Sequence, residues 1–118
     1  MDGRIQVPLR IYGQKVTGAE YPDTISDPGA AGILAGNPSQ EFLSRLKSEL
    51  DISLQKHHSK GIIVHGHEDC AGHPVGDEAH KEDVRKSVKV IKKLISNEVP
   101  VYGVFVKRGE PGWTVEEL

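Results

Sequence analysis

Three histidines and the chain's only cysteine crowd one short stretch, Gly61-Ile62-Ile63-Val64-His65-Gly66-His67-Glu68-Asp69-Cys70-Ala71-Gly72-His73-Pro74-Val75. His67 and Cys70 stand three apart, as His-x-x-Cys. Imidazole nitrogen and thiolate sulfur are the donor pair zinc prefers, and on a turn this spacing lets both point at one ion. Two donors do not complete a site: a catalytic zinc takes three protein ligands and keeps a fourth position open. A free buried cysteine beside solvated histidines is the competing reading of the same residues. His65 lies two before His67, so on a continuing strand both point to one face. His73 lies three after Cys70. Either could supply a further donor, and either could instead face solvent or support a ligand. Asp69 is close and acidic, but a turn aspartate more often bonds backbone amides. His57 and His58 are neighbours in sequence, which do not face each other on a helix, and they read as surface residues.

The elements that must position this stretch follow from the pattern around it. Ile62 to Val64 is a short apolar run that reads as a buried strand, ending where the polar loop begins. A strand that delivers polar side chains at its carboxyl end is how an open α/β sheet presents chemistry. Upstream, Ile5 to Tyr12 reads as a short helix with Pro8 in its first turn. Tyr21 to Ser26 reads as a short strand, stopped by the turn signal Asp27-Pro28-Gly29. Ala30 to Ala35 reads as a helical turn. Asn37 and Pro38 suit the cap and first position of the next helix, with Gln40 three after the cap. Leu43, Leu46, Leu50 and Leu54 fall on one face of that helix, which is expected to run to about Lys56. Downstream, Asp77 is the expected cap of a helix whose stripe is Val84, Val88, Ile91 and Ile95. Lys86, Lys89, Lys92 and Lys93 on it read as a solvated face. Val101 to Val106 reads as a buried parallel strand. Gly109, Pro111 and Gly112 break it, leaving Trp113 to Leu118 as a tail that docks Trp113 on the body. The alternation predicts an α/β fold in three layers, a small parallel sheet of three strands flanked by helices, in one domain over residues 1–118.

Composition narrows the function classes. The chain has 118 residues and a formal net charge of −2, which argues against a nucleic-acid partner, since that calls for a basic stripe. No apolar run approaches the ~20 residues of a membrane span. Met1-Asp2-Gly3-Arg4 leads into no apolar signal-peptide region. A single cysteine makes no intrachain disulfide, so a reducing, cytoplasmic compartment is expected, with the thiol free for metal.

Val64-x-Gly66-His67-x-Asp69-Cys70-Ala71-Gly72 resembles the second metal motif of β-class carbonic anhydrases, a Gly-His-x-x-Cys turn after a strand of a parallel sheet. Asp2-Gly3-Arg4-Ile5-Gln6, Asp27-Pro28-Gly29, Asp69-Cys70-Ala71-Gly72-x-Pro74-Val75 and the Trp113 tail are similar to the short prokaryotic members of that superfamily. The resemblance covers nearly all of the chain. The superfamily's first metal motif is Cys-x-Asp-x-Arg, and here Met1-Asp2-Gly3-Arg4 matches it from the second position on, with the cysteine falling before residue 1. By this resemblance the chain lacks the first strand and the first cysteine ligand. Truncation at an internal methionine is the favoured explanation over a short form that lost the ligand, because Asp2 to Ile5 otherwise keep the pattern and loss of a central strand exposes sheet edges.

The resemblance implies a zinc enzyme that reversibly hydrates carbon dioxide to bicarbonate by zinc-bound hydroxide, zinc lowering the pKa of its water to about 7. It implies His67 and Cys70 as metal ligands; from their positions, His65 and His73 are the possible substitutes for the absent cysteine. It implies Asp2 and Arg4 as the catalytic pair, Arg4 holding the Asp2 carboxylate by a charge-assisted hydrogen bond. It also implies a homodimer or higher homo-oligomer. Related small heterocumulenes are alternative substrates on the same scaffold. The reading from a different class is a non-catalytic α/β binding or assembly domain that has lost the complete metal site.

Overall fold

The computed structural model describes residues 1–118. A 3-10 turn, Gly3–Ile5, leads into α1 (Gln6–Thr17); then come α2 (Ala30–Ala35), α3 (Gln40–Asp51), β1 (Ile62–His67), α4 (Asp77–Leu94), β2 (Val101–Gly109) and β3 (Gly112–Glu117). β1 pairs parallel with β2, from Ile62 opposite Val101 to His67 opposite Val106. β2 pairs antiparallel with β3, from Val104 opposite Glu117 to Gly109 opposite Gly112. The sheet order is β1-β2-β3, so the sheet is mixed rather than all parallel. The correction lies in the Trp113 tail. Gly109 and Gly112 close a tight reversal, with Gly112 at φ 139, and the chain returns along β2 as a strand.

The helices form for local reasons. α1 keeps Pro8 in its first turn, where a missing amide costs little. It runs past the expected Tyr12 to Thr17 and stops at Gly18, whose φ of 71 ends the helix while its amide donates to the Gln14 carbonyl. The cap of α3 is Ser39, not Asn37: the Ser39 hydroxyl accepts from the Phe42 amide at 3.1 Å, which leaves Pro38 outside the helix. Beyond Asp51 the helix widens into a π turn, Ile52–Lys56, so it ends at the expected place. Gly76, not Asp77, caps α4; Asp77 and Glu78 sit in the first turn, where the helix dipole favours them. Tyr21 to Ser26 makes no ladder. Its β propensity alone does not make a strand, and it crosses the surface as irregular chain.

Alternation along the sheet separates two faces. Gly66 and Gly103 lie against His80, Val84 and Val88 of α4. Ile62, Val64 and Val101 pack on the cluster Leu34, Leu46, Leu50 and Ile91 from α2, α3 and α4. On the opposite face Ile63 touches Gly13 of α1, and Tyr102 meets Tyr12 edge-on at 6.4 Å. Ile5, Val104, Phe105 and Val106 are fully buried. The three layers are thus α1, the sheet, and α2 to α4.

The far edge of β1 has no strand beside it. The Ile62 amide donates to Pro100 and the Glu68 amide to Val106, so by alternation the main-chain groups of Ile63, His65 and His67 face the free edge. Along that edge runs a cavity of about 800 Å³, lined by Leu34, Leu46, Leu50, Val64 and His65 among others, and by the irregular chain at 18–27.

Candidate functional site

β1 carries His65 and His67 toward the α1 face and then enters a loop whose backbone turns sharply at Asp69, φ 58, a conformation aspartate tolerates better than most residues. Two contacts pin this loop. The Arg108 amide of β2 donates to the Glu68 carboxylate at 2.9 Å. Gly72 lies against the Pro28-Gly29 backbone so closely that a Cβ on it would stand 2.5 Å from the Gly29 nitrogen. The Asp27-Pro28-Gly29 and Asp69-Cys70-Ala71-Gly72 motifs are therefore two sides of one backbone contact.

His67 is almost fully buried, 7 % exposed. Its Nδ1 donates to the Glu68 carbonyl at 2.8 Å. A ring nitrogen facing a carbonyl must carry the proton, so Nε2 keeps its lone pair free for a metal or a proton donor. The Asp2 carboxylate approaches the same ring, 3.8 Å from Nδ1. Arg4 grips that carboxylate with Nη2 at 2.6 Å, with Nε at 3.1 Å to both oxygens, and with its own amide at 2.9 Å. These hydrogen bonds, side chain first, hold the Asp2 carboxyl well below the usual carboxylate range. The Arg4 guanidinium is raised in turn, by Asp2 first and then by Asp69. Cys70 is a free thiol, partly buried.

The other histidines go to different places. His65 faces the cavity. Its Nδ1 is closed off from solvent with no hydrogen-bond partner, and burial, ahead of the repulsion from the chain's N-terminal ammonium, lowers its pKa to about 4. His73 turns toward the helices: Nε2 meets the Asp83 carboxylate at 2.7 Å, and the ring covers Gly32 of α2. Sequence reasoning missed His80. It is 2 % exposed, lies on Gly66, and stands edge-on to His73 at 4.9 Å and 6.3 Å from the His67 ring. Burial, more than the neighbouring histidines, lowers its pKa. Its place one turn before Val84, at the head of the buried stripe His80, Val84, Ser87 and Ile91, was the available signal.

Zinc chemistry suits His67 and Cys70, but no group of three His, Cys, Asp or Glu side chains stands close enough together to hold a metal ion. The residues of this chain therefore do not by themselves make up the three-donor set of a catalytic zinc. No helix is long and apolar enough to cross a membrane. No curated protein and no solved structure gives a match to the chain. The model of a protein family described as "Putative carbonic anhydrase" matches residues 1–118, the full span over which the Asp2–Arg4 pair, the His67–Cys70 loop and the Trp113 strand are arranged. On that match, the chain belongs to this carbonic anhydrase family.

Proposed function

We propose that this domain acts on carbon dioxide and bicarbonate at the carboxyl end of β1, with His67 and Cys70 as two zinc ligands and Asp2 and Arg4 as the catalytic pair. The supporting observation is the convergence of Asp2 on His67, at 3.8 Å, with Arg4 saturating the carboxylate. An ionised carboxylate held in this way accepts a hydrogen bond without taking the proton, and so orients a reacting water or bicarbonate. Arg4 contacts both oxygens and so fixes the orientation of the carboxylate. Completion of the zinc site requires a donor beyond His67 and Cys70. Neither His65, whose Nδ1 is closed off without a partner, nor His73, engaged by Asp83, stands with His67 and Cys70 in a three-donor group, so that donor comes from outside these side chains as they stand.

Elemental analysis of the purified chain, paired with a carbon dioxide hydration assay, tests this reading. About one zinc per chain, lost in His67→Ala and in Cys70→Ala along with hydration, is the expected result. Protein that takes up no zinc and shows no hydration overturns it. The second reading, a binding or assembly domain, is favoured by the lack of a three-donor group and by the apolar cavity along the free edge of β1. Assembly into a homodimer accords with α1, which buries no residue and leaves Val7 and Ile11, one turn apart, 66 % and 61 % exposed. Sedimentation at several concentrations tests it: a monomer at every concentration refutes the dimer.

A further inference from the structure

We infer that Asp69 and Trp113 are positioning residues for Arg4, and through it for the Asp2 carboxylate. As a role in the reaction this rests on the reading above; as a statement about the side chains it does not. Arg4 is held on three sides. Asp2 takes its inner edge. Asp69 takes its outer edge twice, the carboxylate accepting from Nη1 at 3.1 Å and the backbone carbonyl from Nη2 at 3.2 Å. The Trp113 ring faces the guanidinium, with Cζ 4.9 Å from the ring centroid. Arg108 repeats the last two contacts, with Nη2 3.2 Å from the Asp69 carboxylate and Cζ 5.5 Å from the Trp113 ring. Two guanidinium groups thus share one carboxylate and one indole.

The physical case is a matter of number. Arg4 and Asp69 side chains are 41 % and 63 % exposed, and a lone pair this exposed is screened and worth little. A planar guanidinium bound at both edges and against an aromatic face has few orientations left. Asp2 alone leaves the guanidinium free to rock about their shared axis; Asp69 and Trp113 remove that freedom. The arrangement joins three separate parts of the chain: the N-terminal turn, the loop that carries Cys70, and the β2–β3 hairpin. It also gives Trp113 a function that its distance in sequence from the His67 loop conceals.

Nitrogen-15 NMR of the Arg4 Nε–H group is the direct measurement, because exchange with water reports how firmly the guanidinium is held. Asp69→Asn removes the charge but tolerates the positive φ, and Trp113→Ala removes the aromatic face. Each is expected to speed Arg4 Nε–H exchange about two- to fivefold at low salt, with the Asp69→Asn effect shrinking as salt rises. Trp113→Phe, which keeps a face, is expected to restore most of the protection. Circular dichroism identifies folded variants. Should Trp113→Ala disrupt β3, Asp69→Asn and Trp113→Phe decide the matter, the latter then expected to match the unmodified chain. Folded Asp69→Asn protein with Arg4 exchange unchanged overturns the inference. Absence of carbon dioxide hydration alongside a protected, Asp69-dependent Arg4 signal sinks the functional reading and leaves the positioning intact.

Discussion

Gly72→Ala is the substitution whose cost the structure fixes most directly. A Cβ there would stand 2.5 Å from the Gly29 nitrogen, 2.7 Å from the Pro28 carbonyl carbon and 3.1 Å from the Pro28 Cβ. Two of these three atoms are backbone, so no rotamer change relieves them. Gly29 is itself committed to φ 65, and Pro28 has its own φ fixed by the ring. Relief requires the 27–29 turn and the 70–73 loop to part. Forced insertion of this kind costs about 1–3 kcal/mol, a fall of roughly 4–12 °C in melting temperature for a domain of this size. Gly3→Ala is the control, because nothing lies within 4 Å of a Cβ there, and it should stay within about 0.5 kcal/mol of the unmodified chain. Urea unfolding with an unchanged m-value measures both. A second assay follows the loop itself: Cys70, as the only thiol, should react faster with a disulfide reagent in Gly72→Ala. A Gly72→Ala protein as stable as Gly3→Ala, with Cys70 no more reactive, refutes the claim that these two turns brace each other.

Other outcomes follow from features away from the loop. Ser87 is fully buried, and its hydroxyl lies 3.0 Å from the Ala31 carbonyl of α2 and 2.7 Å from the Asp83 carbonyl of its own helix. Ser87→Ala leaves the Ala31 carbonyl without that donor and should cost about 1–2 kcal/mol in urea unfolding; no loss would mean that the α2–α4 contact does not depend on it. Tyr12 has its pKa pushed up to about 12, by burial first and then by its hydrogen bond to Glu117. The folded state therefore holds this proton more tightly than the unfolded state does. Stability is complete below pH 10 and falls as pH rises from 10 toward 12. Absorbance of tyrosinate should show a component with a midpoint near 12, and Tyr12→Phe should remove both it and that part of the alkaline instability.

The parts of the fold legible in the sequence are those governed by local period. Leu46, Leu50 and Leu54 are buried on one helix face, Lys86, Lys89, Lys92 and Lys93 of α4 are exposed, and Ile62 to Val64 lies in a strand. Short-range pattern failed where the outcome depended on a distant partner. Tyr21 to Ser26 has strand-like residues but pairs with no strand, although one edge of β1 is free. Trp113 to Leu118 has the pattern of a tail because Pro111 and Gly112 mark an ending as readily as the reversal they make here. Within the candidate site, Asp2, Arg4, His67 and Cys70 were legible through family likeness, and the structure brings Asp2, Arg4 and His67 side by side. Asp69, Arg108 and Trp113 gather only when β2 has paired with β1 on one side and β3 on the other. His80 stood in plain view at the head of a helical stripe, but a buried histidine there carries meaning only once Gly66 is known to lie beneath it.

The division of β1 into two faces sets a rule for how the chain can change length. Ile62, Val64 and Gly66 serve the apolar side, whereas Ile63, His65 and His67 serve the side of α1 and Asp2. Deleting or inserting one residue between Gly61 and Gly66 would not move the histidines along the strand so much as exchange them through the sheet, placing imidazoles on the side of the leucines and Val64 on the side of α1. Two residues at a time would preserve the assignment of faces and shift the loop by one repeat of the pleat. The strand therefore tolerates length changes by parity rather than by size, and single-residue variation is confined to the loops on either side of it.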